Sequence, residues 1–227
     1  MKMDIMLDLE TLGTKPGCAV LSIGAKVFDP YGDNSVPSAA PPSTSFYRNI
    51  DLFSSLMIGL TIDLATLDWW RTKDKTAQDA FLLGGVKPKT AIQQFNDWIV
   101  ACGNQYSPLE KSLTVWAKSP GFDCHVLEFV ADLVGYRLEW HDDERKQGFR
   151  TFRDVRTAIA MSGIDEKSIT AKGTGRTQHN ALDDCEVQIL QVQAAYRMLK
   201  PVQPVAMPAP QADAFGAPLP APSWKKD

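Results

Sequence analysis

The chain lacks several things that would place it quickly. No apolar run approaches the ~18–20 residues that a membrane-crossing helix needs, so nothing in it reads as spanning a bilayer. Its four cysteines, Cys18, Cys102, Cys124 and Cys185, are scattered without a CxxC pair. That spacing indicates neither a zinc site nor a disulfide framework, and reduced thiols in a cytoplasm are the expectation. The N-terminus enters a strand-like stretch almost at once, so no signal peptide is expected. Positive charge is not in surplus: the net charge is −3. No global basic field advertises nucleic-acid binding, although bound metal ions can reverse the sign of an acidic site locally. "KGTGR" at 172–176 is glycine-bearing and basic but lacks the spacing of a phosphate-binding P-loop. There is no internal repeat.

What is present is a 227-residue chain with 44% hydrophobic and 22% charged residues, ordinary for a globular protein. Residues 3–9, 19–28, 44–50 and 113–117 read as strands. Residues 61–72 read as a helix with Thr61 or Asp63 near its cap, and 88–100 as an amphipathic helix on Ile92, Phe95 and Ile99. After a break at Ser119-Pro120-Gly121 another helix is expected at roughly 123–134. Further helices are expected over 152–162 and from about Asn180 to Leu199, the last with Leu182, Cys185, Ile189 and Val192 as its inner stripe. Residues 29–43 form a turn-rich connection and 165–178 a polar, basic loop. The final segment, 201–227, holds seven of the fifteen prolines and many alanines, a composition that cannot build a core and is expected to be disordered. This gives one domain of about 1–200 and a tail. The order of elements predicts an α/β fold with a mixed central sheet flanked by helices, antiparallel neighbours first and a parallel crossover later.

The chemistry starts in "DIMLDLETLG" (4–13). Asp8 and Glu10 stand two apart in a strand, so both carboxylates face the same way. Like charges that close repel unless a cation lies between them. Asp123, in "VWAKSPGFDCHVLEF", follows a strand and a turn and opens a helix; alone it reads equally as a capping acid. "HNALDDCE" adds His179, Asp183 and Asp184, which alone are acids favoured in a first helical turn beside a surface histidine. Trp69, Trp70 and Trp98 sit at helical spacings and read as core rather than as stacking surfaces for bases. Arg153 and Arg156 read as helix-surface charges, Lys167, Lys172 and Arg176 as either phosphate contacts or a solvated loop, and "WHDDERK" (140–146) as a solvated turn.

Taken together, "DLETLG", "FDCHVL" and "HNALDD" resemble the three exonuclease motifs of the DnaQ-like, DEDDh class of 3′–5′ exonucleases. "TLDWWRT", "FNDWIV", "VWAKSPGFD" and "FRTFRDVRT" make the chain most similar to the phage exonuclease A (DexA-type) group. The resemblance covers roughly residues 4–199. It implies a ribonuclease-H-like fold and a catalytic set of Asp8, Glu10, Asp123, His179 and Asp184. The four acids would be ligands of two Mg²⁺ ions, with Mn²⁺ able to substitute, and His179 would be the general base. In the third motif, His-x-Ala-x-x-Asp, the family pattern selects Asp184; Asp183 is the competitor. Leu9, Thr11 and Leu12 are implied contacts of the terminal nucleotide, and Lys118 is a candidate phosphate contact. The implied reaction releases nucleoside 5′-monophosphates from the free 3′ end of a nucleic acid, DNA ahead of RNA. Rival readings are an exoribonuclease, a catalytically idle nucleic-acid-binding domain, and a proofreading module recruited to a polymerase, with the tail as attachment point for a protein partner. A cytoplasmic location is expected, the host's cytoplasm if the chain is phage-encoded.

Overall fold

The central strand explains the sheet. β1 (Asp4–Thr11) is buried on both faces over most of its length, as the near-continuous apolar run at 4–9 demands. It pairs antiparallel with β2 (Val20–Phe28) and parallel with β4 (Thr114–Ala117). β3 (Ser45–Asn49) extends the sheet antiparallel beyond β2, and β5 (Phe152–Asp154) extends it parallel beyond β4, giving the order β3-β2-β1-β4-β5. This is the expected mixed sheet, antiparallel first and parallel after the crossover. A computed structural model describes residues 3–32, 42–73, 75, 78, 84–108, 113–140, 152–170 and 172–199. The proline-rich tail, the 140–146 turn after Trp140 and most of the turn-rich 29–43 connection lie outside the described residues.

Among the described residues six helices flank the sheet: α1 (Leu52–Met57), α2 (Leu64–Arg71), α3 (Pro88–Tyr106), α4 (Pro120–Leu133), α5 (Val155–Ser162) and α6 (Ala181–Met198). Alternation along β1 divides the core. Ile5, Leu7 and Leu9 join Ile92, Phe95 and Ile99 of α3 and Val126, Leu127 and Val130 of α4. Met6 joins Val155 and Ile159 of α5 and Cys185, Ile189 and Val192 of α6. Asp8 and Glu10 share Met6's parity, so they stand on the side of the sheet where α6 packs.

Three expectations change. Residues 152–162 are not one helix: Phe152–Asp154 pair with β4, and only then does Asp154 Oδ1 accept from Arg156 N (2.9 Å) and start α5, which ends at Gly163 with φ 70°. A three-residue edge strand carries no readable period, whereas the helix after it does. The capped six-residue α1, where Asp51 Oδ1 accepts from Ser54 N, is too short to show one either. Pro120 does not break the chain but occupies the first position of α4, where its missing N–H costs nothing. The polar loop at 165–178 contains single 3₁₀ turns at Glu166–Ser168 and Lys172–Thr174.

Candidate active site

Three segments meet at the end of β1. Asp8 and Glu10 come from the strand itself. Asp123 comes from the first turn of α4, where it is 5% exposed. Its backbone N–H donates to Ser119 O (3.0 Å), and the backbone amides of Asp123, Leu9 and Ser119 favour the ionised carboxylate. β4 pairs with β1 only as far as Met6, so a turn at the end of β4 lies beside the unpaired edge of β1 at Leu9. Thus Asp123 lies in the first turn of α4, where an acid suits the helix dipole, and beside the strand that carries the other two acids.

The third segment arrives through a glycine. Gly24 on β2 lies directly across from Asp8. A Cβ there would stand 2.3 Å from the Ala181 carbonyl carbon and 2.5 Å from Leu182 N. Only glycine admits the start of α6 so close to the sheet. Asn180 caps α6, its Oδ1 accepting from Leu182 N (3.1 Å) and Asp183 N (3.2 Å). His179, just before the cap, takes a left-handed backbone (φ 61°), and its N–H donates to Asp184 Oδ2 (3.1 Å). Ligating atoms of Glu10, His179 and Asp184 all fall within 4.8 Å of one another. Asp183 points elsewhere: its Oδ2 accepts from Thr177 N (2.9 Å) and steadies the loop.

The electrostatics are those of acids crowded together. Burial first, then the charges of Asp123, Glu10 and Asp184, raises the Asp8 carboxyl well above the ordinary carboxylate range; a hydrogen bond donated by Gln188 Nε2 (2.7 Å) partly opposes this. Burial, then Asp184 and Asp123, pushes Glu10 up to about 8. Burial pushes Asp123 to about 7 and Asp184 to about 6, with backbone bonds and the charges of Arg156 and Lys118 respectively pulling them back. Glu10 Oε1 is buried with no hydrogen-bond partner among the described residues. An orphaned carboxylate oxygen among three other acids fits a hard divalent cation, which takes oxygen ligands and removes the repulsion.

The flanking residues fare differently. Leu9, Thr11 and Leu12 are buried; Thr11 Oγ1 donates to Gly13 O (2.7 Å), and the Thr11 carbonyl accepts from Trp70 Nε1 (2.9 Å). Lys118 sits at the rim, close enough for its charge to act on Asp184, and is ion-paired with Glu166. Arg176 is ion-paired with Glu186 (2.6 Å). Arg153 is not a helix-surface charge: it lies on β5 and reaches buried Asp4 (3.1 Å). Arg156 is on the exposed face of α5.

Trp70 and Trp98 are core residues, as expected, but Trp69 is not. It is 43% exposed, edge-on to the His179 ring at 4.8 Å, with Lys73 Nζ 4.0 Å over its own ring. The doublet itself carried the signal, because adjacent helical residues point ~100° apart and cannot both face the core. Gln188 was legible in the same way, since it follows Asp184 by one helical turn. Gly24 had no local signal; its role depends on what α6 does more than 150 residues later.

Comparison with known proteins places the chain as a whole. Residues 3–196 match the family model described as the Rv2179c-like 3′–5′ exoribonuclease domain. An exodeoxyribonuclease of Enterobacteria phage T4 is 25% identical over 209 residues, covering 86% of this chain and 89% of the phage protein. Among solved structures, cell-death related nuclease 4 (CRN-4) superposes with TM-score 0.56 at 15% identity, covering 88% of this chain; the chain spans 65% of that protein's length. The nuclease domain of 3′hExo, a DEDDh family member crystallised with rAMP, superposes with TM-score 0.51 at 8% identity, covering 86% of this chain and 92% of that domain. At such identities the two structures speak for the fold.

Proposed function

We propose, for a chain that belongs to the Rv2179c-like 3′–5′ exoribonuclease domain family and is thus a 3′–5′ exonuclease of the DEDDh class, that it degrades DNA from a free 3′ end and releases nucleoside 5′-monophosphates. The observation carrying this reading is the convergence of Glu10, Asp184 and His179 within 4.8 Å beside half-buried Asp8 and buried Asp123. Asp8, Glu10, Asp123 and Asp184 are the residues that would hold two divalent ions, Mg²⁺ or Mn²⁺. Bound there, such ions supply Lewis acidity toward the scissile phosphate and lower the pKa of water.

The chain's own groups do the rest. His179 takes the proton from the attacking water at an imidazole nitrogen, a task suited to a side chain that changes charge near neutral pH. The exposed face of Trp69 offers the terminal base a stacking surface beside His179, worth roughly 1–3 kcal/mol per base in single-strand binders. Because Leu9 and Leu12 are buried, the 9–12 segment meets the nucleotide chiefly through its backbone. Lys118 exchanges Glu166 for a substrate phosphate.

DNA is favoured by the likeness to the phage exodeoxyribonuclease along 86% of this chain. The exoribonuclease description of the family model supports the alternative, RNA. Digestion of 5′-labelled DNA and RNA strands of matched sequence, with Mg²⁺, Mn²⁺ or EDTA, decides between them. The expected result is a shortening ladder on DNA with either metal and none in EDTA. Preference for RNA would overturn the substrate assignment, and undiminished cleavage after exhaustive chelation would overturn the metal reading.

A further inference from the structure

The segment that ends in His179 is held by more than its cap. Lys118 pairs with Glu166 near its start, and Gln191 Nε2 donates to Ile169 O (3.0 Å) in its middle. Closer to His179, Arg176 Nε donates to Glu186 Oε2 (2.6 Å) while its Nη1 donates to Thr174 O (3.1 Å). The other Glu186 oxygen is taken by Lys26 Nζ from β2. One carboxylate on α6 therefore ties the loop to the sheet. The three side chains are only 24–30% exposed, so water screens them less than an open surface pair. Burial of Glu186 works against its ionisation, but Lys26 and Arg176 outweigh it and keep the carboxyl below its ordinary value.

Three residues beyond Arg176, His179 adopts a left-handed backbone that side chains other than glycine seldom take. Such strain persists only where the surroundings over-determine it. The cap at Asn180 and the Asp184 carboxylate hold one side of His179, and Asp183, through Thr177 N, holds the other together with the Arg176–Glu186–Lys26 cluster. The imidazole itself lies edge-on to Trp69 (4.8 Å) and Trp70 (5.8 Å).

We propose that Glu186, gripping Arg176 and Lys26, is a positioning residue for the reaction: it holds the 174–179 segment so that the His179 imidazole faces Glu10 and Asp184. The proposal rests on the reading of His179 as proton acceptor, and it makes Arg176 an internal tether rather than a phosphate clamp.

The test uses the full chain with Glu186→Gln and Arg176→Met, each alone and combined with His179→Ala. Single-turnover cleavage of a 5′-labelled single strand is measured over a concentration series. The His179 ring proton, identified by its loss in His179→Ala, is followed by NMR. Both variants should slow the cleavage step by roughly 10- to 100-fold, the scale expected of a misplaced catalytic group, with half-saturating substrate concentration within twofold. Neither should slow His179→Ala further. The His179 resonance, displaced by ring currents of the two indoles, should move toward the position of an exposed imidazole, and Glu186→Asp should recover part of both effects. An unmoved His179 resonance in both variants overturns the positioning, as does an equal loss in the His179→Ala background. Weaker substrate binding with unchanged cleavage in Arg176→Met restores the phosphate clamp. Full activity of His179→Ala overturns the proton-acceptor reading, and with it the catalytic consequence, whereas the resonance still reports the tether.

Discussion

The two ends of β1 hold the same residue type to opposite purposes. Asp4 and Asp8 are four residues apart on one face of one strand, Asp4 fully buried and Asp8 half-buried. Asp4, fully enclosed, accepts from Trp116 Nε1 (2.8 Å) and from Arg153 Nη1 (3.1 Å). Asp8 accepts from the neutral Gln188 and otherwise faces Glu10, Asp123 and Asp184. At one end the protein supplies a cation of its own and closes the strand into the core. At the other it gathers four acids, whose counter-charge, on the proposed function, is a divalent ion. A buried carboxylate is thus a structural or a chemical feature according to who neutralises it.

Substitution at the two ends should give opposite phenotypes, and the largest effect is at the chemical end. Asp8→Asn and Asp184→Asn should each lower cleavage by several orders of magnitude, since each lost ~1.4 kcal/mol of transition-state stabilisation is tenfold and removal of a metal ligand forfeits several kcal/mol. Their metal-free stability should be equal to or above that of the parent, because a repelling charge has gone. Asp4→Asn should do the reverse: activity per folded molecule nearly intact, but stability lower by about 1–3 kcal/mol as the Trp116 and Arg153 donors lose their charged acceptor. Asp183→Asn, which touches only Thr177 N, should stay within a few-fold of the parent in activity. Denaturant melts beside single-turnover rates check all four. An inactive Asp183→Asn with an active Asp184→Asn would put the third motif one residue out of register.

Legibility in the sequence follows the same division. Asp8 and Glu10 were readable because their spacing puts both on one face of a strand, whereas Asp123, His179 and Asp184 were legible only through the resemblance of the three motifs taken together. The fold was readable where β1, β2, α3 and α6 are long enough for a period to show. Asp4 gave no hint of its role, since Trp116 and Arg153 lie 112 and 149 residues away. Arg153 in turn was assigned to a helix because β5 is three residues long. Glu186 and Gly24 were silent for the same reason. Their partners are brought by tertiary packing, which leaves no local pattern.

A second, smaller effect sharpens the contrast through the backbone. Gly24→Ala should press a methyl group into the Ala181 peptide that now lies 2.3 Å from the Cβ position, costing about 1–3 kcal/mol by overpacking and pushing the start of α6 away from Asp8. Activity should fall with stability in this variant, unlike either aspartate end alone. Gly121→Ala, where an added Cβ meets nothing within 4 Å, is the control. A stable, fully active Gly24→Ala would show that the close approach is not needed to place His179 and Asp184.

The smallest effect is a slope. In the folded chain Glu10 stands at about 8 against an ordinary 4.5, Asp123 at about 7 and Asp184 at about 6 against 3.8, and Asp8 is displaced in the same direction. Between pH ~4 and ~8 the folded protein without metal therefore holds protons that the unfolded chain has released. Stability changes with pH as the protons bound when unfolded minus those bound when folded. That difference is negative here, so these groups weaken the fold as pH rises through the window. Divalent ions bind the deprotonated carboxylates and only the folded arrangement, so added Mg²⁺ should raise the melting temperature little at pH 5 and most at pH 8. Glu10→Gln should flatten the slope in EDTA, while Asp4→Asn should lower the whole curve and leave its slope in place. Melting temperatures at half-unit steps from pH 5 to 8.5, in EDTA and in Mg²⁺, contain the comparison in one experiment. If the EDTA curve is flat, or if Asp4→Asn changes its slope as much as Glu10→Gln does, then the two ends of β1 are not electrostatically distinct and the open end is not waiting for a cation.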